Sequence, residues 1–145
     1  MEILLRDVVE DDLETFLAYE HDPEAVARSR FVPRERDAFL RHWRTRVLAG
    51  PDSFVQTIVV DGAVAGSIVA WDADDGRRFT GYWLGRGFWG RGVGSAAMRA
   101  FLERERGRPL YADPHEGNTA SCRLLERCGF VREGTDGEYA VYVLH

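Results

Sequence analysis

The chain has 145 residues, 45% of them hydrophobic and 12% aromatic, with a formal net charge of −5. That length supports one buried core and leaves little room for a second, so residues 1–145 are expected to form one domain. The acidic balance argues against a nucleic-acid partner, and no apolar run is long enough to cross a bilayer.

The opening "MEILLRDVVEDD" has a short apolar patch followed by acids, which is no signal peptide, so a cytoplasmic protein without a membrane partner is expected. Residues 3–8 read as a first strand. "DDLETFLAYEHDPEAV" then reads as a helix that Asp11 or Asp12 can cap, with Leu13, Phe16, Leu17 and Glu20 on one face. A second helix is predicted from about Arg34 to Leu48, with Phe39, Leu40, Trp43 and Val47 as its apolar stripe, ended by Gly50-Pro51. From Phe54 the period drops to two. "FVQTIVV", Asp61-Gly62 and "AVAGSIVAW" predict a hairpin on a two-residue turn, and "DADDGRR" turns the chain into a third strand ending at Gly85. A helix follows to about Glu105, then a strand in "RPLYADP", a helix in "NTASCRLLERCGF" ended by Gly129, and two last strands.

The only cysteines, Cys122 and Cys128, lie six apart on one predicted helix and point away from each other. With His21, His42, His115 and His145 they make no ligand spacing, so neither a disulfide nor a metal is expected. All 19 basic residues are arginine.

The chemistry concentrates in "GFWGRGVGSAAMRAFL", residues 87–102. A helix start leaves backbone N–H groups unpaired and carries a partial positive charge, and bare glycines let an anion reach it. Gly90, Gly92 and Gly94, bracketed by Arg86 and Arg91, therefore predict an anion seat. A nucleotide triphosphatase loop would need a lysine, which is absent. Gly92 to Ala97 also satisfies a dinucleotide pattern with Asp113 as a ribose acid. The antiparallel strands before it and the fifty or so residues after it leave no space for a doubly wound domain.

The element order and the six positions Trp89-Gly90-Arg91-Gly92-Val93-Gly94 resemble the GCN5-related N-acetyltransferase (GNAT) superfamily, whose pyrophosphate loop reads Gln/Arg-x-x-Gly-x-Gly/Ala. Trp89 departs from it at the first position. Asn118, Ser121, Gly129-Phe130 and Glu133-Gly134 are similar to the branch of ribosomal-protein N-terminal acetyltransferases. The resemblance implies an α+β fold, with a mixed, mostly antiparallel sheet of six to seven strands flanked by about four helices. It implies acetyl-coenzyme A as acyl donor and direct attack by a primary amine, on a protein N-terminus or a small molecule, in a ternary complex. A monomer or homodimer would suffice. The strand 81–85 should diverge from the strand 110–113, with the pantetheine arm between them along Trp83 and Leu84. Trp89, Gly90, Arg91, Gly92, Val93, Gly94 and Ser95 would hold the pyrophosphate; Asn118 would cap the helix after it or bond the pantetheine or the neighbouring strand, and Arg127 would meet the adenosine 3′-phosphate.

The family's acid, a tyrosine before Gly-Phe, is replaced here by Leu125, so the resemblance points to Ser121 as proton donor. Glu138 is the carried-over candidate for the base, with Asp113, His115, Glu20 and His21 as alternatives. Trp43, Trp71, Trp83 and Phe88 are expected in the core, and Trp89 beneath the loop. The competing reading is a module of the same shape that binds acyl-coenzyme A without turning it over.

Overall fold

The computed structural model describes residues 1–145. Seven strands form one sheet in the order β1-β2-β3-β4-β5-β7-β6, with β1 Ile3–Arg6, β2 Phe54–Val60, β3 Ala63–Asp72, β4 Arg78–Leu84, β5 Leu110–Ala112, β6 Val131–Asp136 and β7 Tyr139–Leu144. Every neighbouring pair is antiparallel except β4 with β5. The helices are α1 Asp12–Glu20, α2 Pro23–Ser29, α3 Arg36–His42, α4 Val93–Arg104 and α5 Thr119–Arg127.

The first helical stretch is thus two helices rather than one. Asp22 caps α2 by accepting from the Glu24 N–H at 3.0 Å, and Pro23 takes the first-turn position where its missing N–H costs nothing. The second stretch runs as α3 and continues through a π-helical turn, Trp43–Val47. The hairpin turn forms as expected: Asp61 and Gly62 have φ of 49° and 83°, the pair of positive values that matches the twist of the strands they join.

Two apolar clusters flank the sheet. The larger joins the inner faces of β1–β5 and β7 to α4 and α5 through Met98, Phe101, Leu124 and Leu125, with Phe54 stacked on Phe101 at 5.2 Å. The smaller packs Leu13, Phe16, Phe39 and Trp43 on the opposite side. Side chains of β4 therefore alternate between two different helical layers, which places one strand in the wall of both.

Asp12 fixes the smaller layer. It is 3% exposed and accepts from both Arg6 guanidinium nitrogens at 2.7 and 2.9 Å, the Val9 N–H at 3.0 Å and the Thr57 hydroxyl at 2.7 Å. Burial pushes its carboxyl up, but these donors outweigh burial and hold it below the usual range. Asp12→Ala leaves them without an acceptor and is expected to cost about 2–3 kcal/mol in urea unfolding. A depressed carboxylate contributes stability above its unfolded pKa and loses it as pH falls through the folded value. That acid limb should be smaller in the variant.

Candidate active site

Strands β4 and β5 pair only at Arg78↔Leu110 and Phe79↔Tyr111. From Thr80 onward they separate, and the edge of β4 turned away from β3 carries backbone groups with no strand partner. A cleft of about 510 Å³ opens in this gap and runs between α4 and α5. Gly66 lets β4 take this course: a Cβ there would lie 1.9 Å from the Trp83 carbonyl oxygen.

One end of the cleft is the start of α4. Gly90 and Gly92 have φ of 70° and 77°, and a Cβ at either would meet nothing within 4 Å, so the backbone is open to a ligand. The first helical N–H with an acceptor is that of Ala96, bonded to the Gly92 carbonyl; those of Val93, Gly94 and Ser95 find none in the protein. Gly94 is tight for a different reason. A Cβ there would lie 2.6 Å from Leu124 Cδ1, so the glycine brings α5 against α4. Three free N–H groups at the positive end of a 12-residue helix, beside the guanidinium of Arg127, fit a pyrophosphate.

Most of the predicted cofactor residues come together here. Trp83, Leu84, Trp89, Gly90, Gly92, Val93, Gly94, Ser95, Asn118, Ser121 and Arg127 all line the cleft. The Trp89 indole N–H donates to the Leu84 carbonyl at 3.1 Å and locks the loop against β4. Asn118 is the N-cap of α5, its Oδ1 accepting from the Ser121 N–H at 3.3 Å. Arg127 donates to the Ser95 hydroxyl at 3.1 and 3.3 Å, tying α5 to the first turn of α4.

The arginines that bracket the loop in sequence do not face the cleft. The Arg86 guanidinium pairs with Asp22 at 3.2 Å, and that of Arg91 reaches the Gly87 carbonyl at 3.4 Å and the Met1 sulfur. Arg28 from α2 and Arg123 and Arg127 from α5 line it instead, Arg28 lying 4.2 Å above the Trp89 ring. Of the four aromatics expected in the core, only Trp43 is buried there; Trp71, Trp83 and Phe88 line the cleft. The Trp83 indole N–H is buried with no partner, a cost of about 1–3 kcal/mol that native cores avoid outside functional sites.

A second cavity, of about 1000 Å³, lies on the other side of β4 beneath α1 and α3. Glu20, Asp52, Asp72 and Asp113 face it, together with Arg34 and Arg46. Burial pushes the Glu20 carboxyl up although Arg34 donates to it from its N–H at 3.1 Å and its guanidinium at 3.3 Å. The cleft and the cavity share a wall of Phe31, Trp71, Gly81, Tyr82, Trp83 and Asp113.

The acid and base candidates separate clearly on this geometry. Ser121 is 9% exposed and lines the cleft. Tyr82, which the sequence reading passed over although its place in "GYWL" puts it on the Leu84 face, lies against it. Burial pushes the phenol up, and the Ser121 hydroxyl partly offsets this. Leu125 is packed at 2% exposure and has no proton to donate, so it does not replace the family's tyrosine. Glu138 stays outside: its side chain is 83% exposed, borders neither cavity and faces His115 Nε2 at 3.9 Å. The His21 ring meets the Arg34 carbonyl, and His115 Nδ1 accepts from the Gly117 N–H at 3.0 Å. Asp113, directly after β5, is exposed to solvent yet faces both cavities with no side-chain partner from another residue, and partial desolvation at the cleft pushes its carboxyl up. Neither Cys122 nor Cys128 borders the cleft.

A seven-stranded sheet split at β4 and β5, with a glycine-lined helix start in the gap, defines a class, and the chain belongs to it: residues 2–131 match the acetyltransferase (GNAT) domain family. Among proteins of that kind, the chain is 33% identical over 113 residues to YdaF of Bacillus subtilis (strain 168), named as a candidate ribosomal N-acetyltransferase. The match covers 72% of this chain and 61% of that protein, less than two thirds of its length. A domain from Methanocaldococcus jannaschii DSM 2661 has the same fold at a TM-score of 0.83 and 19% identity, covering 99% of this chain and 97% of that one. The aminoglycoside acetyltransferase AAC(6')-Ib, solved with paromomycin and acetyl-coenzyme A, superposes at 0.79 and 22% identity over 99% and 92% of the two chains.

Proposed function

We propose that the protein is an N-acetyltransferase that takes acetyl-coenzyme A in the cleft between β4 and β5 and a primary amine in the cavity beneath α1 and α3. The observation that carries this reading is the shared wall: a helix start with unpaired N–H groups opens one cavity, mostly acidic charged side chains face the other, and they meet at Asp113. Glu20 is paired with Arg34 and Asp72 with Arg78, but the carboxylates of the cavity still outnumber its arginines and Asp113 is unpaired, a balance that favours a cationic acceptor. A ribosomal protein N-terminus, as the name of YdaF suggests, and an amino sugar, as AAC(6')-Ib binds, both meet that requirement.

Acetyl-coenzyme A would supply an activated acyl group on a thioester. The N–H groups of Val93, Gly94 and Ser95 would hold its pyrophosphate, and the unpaired edge of β4 its arm. Asp113 takes a proton from the incoming ammonium, which must be neutral to attack. The hydroxyl of Ser121, with the phenol of Tyr82 beside it, holds a proton where a thiolate departs. Because both substrates are held at one junction, proximity contributes without a covalent enzyme intermediate.

Two readouts test this. Acetyl-coenzyme A at about 100 times its Kd should add about 2.7 kcal/mol and raise the melting midpoint by several degrees. A panel containing a peptide with a free N-terminus, spermidine and kanamycin should then release free thiol with at least one amine. Stabilisation without thiol release from any amine would make the protein a sensor of acyl-coenzyme A. No stabilisation would remove the donor site itself.

A further inference from the structure

Among the six residues of the shared wall, five lie in β3 and β4 or directly follow β5, and one does not. Phe31 enters from the segment joining α2 and α3. Arg30 closes α2 in the left-handed region at φ 57°, its N–H donating to the Val26 carbonyl at 2.9 Å, and the chain reverses there. Val32 is left 84% exposed while its neighbour Phe31 turns inward.

The Phe31 ring is clamped on two sides. It meets Trp83 edge-on with centroids 5.3 Å apart and planes at 63°. On its outer side the Arg34 guanidinium lies 5.4 Å from the ring centroid, and Glu20 holds that guanidinium at 3.3 Å. The His21 ring pins the Arg34 carbonyl as well. A row of side chains therefore runs from the strand wall to α1, with Phe31 at the place where the two cavities adjoin.

On the acetyl-transfer reading, bond exchange takes place at this wall, because no other residues face both cavities. An acyl chain longer than acetyl needs apolar space beyond the reacting carbon. Trp71 is stacked on Phe79 at 6.0 Å, and Trp83 is fixed in β4. Phe31 is the remaining apolar side chain, and behind it lies a cavity of about 1000 Å³. We infer that Phe31 is the end wall of the acyl slot, restricting the donor to short acyl groups and keeping the acyl chain out of the acceptor cavity. A methylene that finds apolar space gains about fourfold in affinity, whereas one forced against a clamped ring loses it.

Titration calorimetry with free coenzyme A, acetyl-coenzyme A and hexanoyl-coenzyme A tests this without any turnover. The wild-type protein should bind the acetyl form at least tenfold more tightly than the hexanoyl form. Phe31→Ala should bring the hexanoyl form to parity or beyond, Phe31→Leu should fall between, and free coenzyme A should change less than twofold in both. Equal binding of the two acyl forms by the wild type overturns the inference, as does an unchanged ratio in Phe31→Ala. Loss of free coenzyme A by the variants would make Phe31 a support of the cleft rather than its wall, and also overturns it. Failure of the wild type to bind any of the three ligands would instead remove the donor site, and the inference with it.

Discussion

Asp113→Asn is expected to lower amine turnover by about two to four orders of magnitude, the usual contribution of a positioned general base. Affinity for coenzyme A should change less than twofold. Asn keeps the size of the side chain and loses only the proton acceptor, so the effect should fall on kcat rather than on donor binding. Among the candidate bases, Asp113 alone faces both cavities, and it has no side-chain partner; Glu20 is tied to Arg34, and Glu138 is 83% exposed outside them.

The pH dependence has a defined sign. Partial desolvation raises the Asp113 carboxyl above the usual range although the residue stays exposed, so the acid limb of kcat should lie somewhat higher than that of an ordinary carboxylate and disappear in Asp113→Asn. Stability runs the other way. A carboxyl with a raised folded-state pKa contributes stability that is fully present below its unfolded value and lost as pH rises through the folded one. At neutral pH the ionised Asp113 therefore opposes folding slightly, and Asp113→Asn should melt at the same temperature or higher. A variant that loses activity because it is unfolded would melt lower, which separates the two explanations. Full turnover by Asp113→Asn would eliminate Asp113 as the base.

Gly92→Asp should weaken coenzyme A binding by one to two orders of magnitude, while Gly92→Asn should weaken it only a few-fold. Position 92 has φ of 77° and open space where a Cβ would stand, and Asp and Asn are the side chains that tolerate this backbone best. Both variants carry nearly the same steric change. They differ in one negative charge, placed directly before the free N–H groups of Val93, Gly94 and Ser95. There it repels a pyrophosphate and satisfies the helix start in its place, an exchange on the scale of a charged hydrogen bond, about 1.5–3 kcal/mol. Competition binding with coenzyme A reads the difference. Equal losses in the two variants would mean that the loop matters for its shape and not as an anion seat.

Features that depend on a few neighbouring residues were legible along the chain. The Asp61-Gly62 turn, the Asn118 cap and the positive φ of Gly90 and Gly92 are local backbone states, and the residue types that tolerate them are few. The glycine-lined helix start was legible for that reason, since it is assembled within one stretch of chain. The break between α1 and α2 was also written locally, in Asp22-Pro23, although the hydrophobic periodicity ran across it.

Which side chains reach the junction follows from long-range packing. Arg86 and Arg91 are adjacent to the loop in sequence, but the turn that lays the loop down aims them at Asp22 and Met1, and Arg28 arrives from some sixty positions earlier. Trp71 and Trp83 have the size and polarity of core residues. They line a cleft because β4 and β5 part after two residue pairs, a separation that no period in either strand encodes. Asp113 and Phe31 meet at the same wall from opposite ends of the chain, and Glu138, close to the expected place in sequence, turns to solvent. Period and propensity specify which face of an element is buried. Which distant side chain comes to lie opposite it follows from how the sheet splits and how the helices cover its two sides.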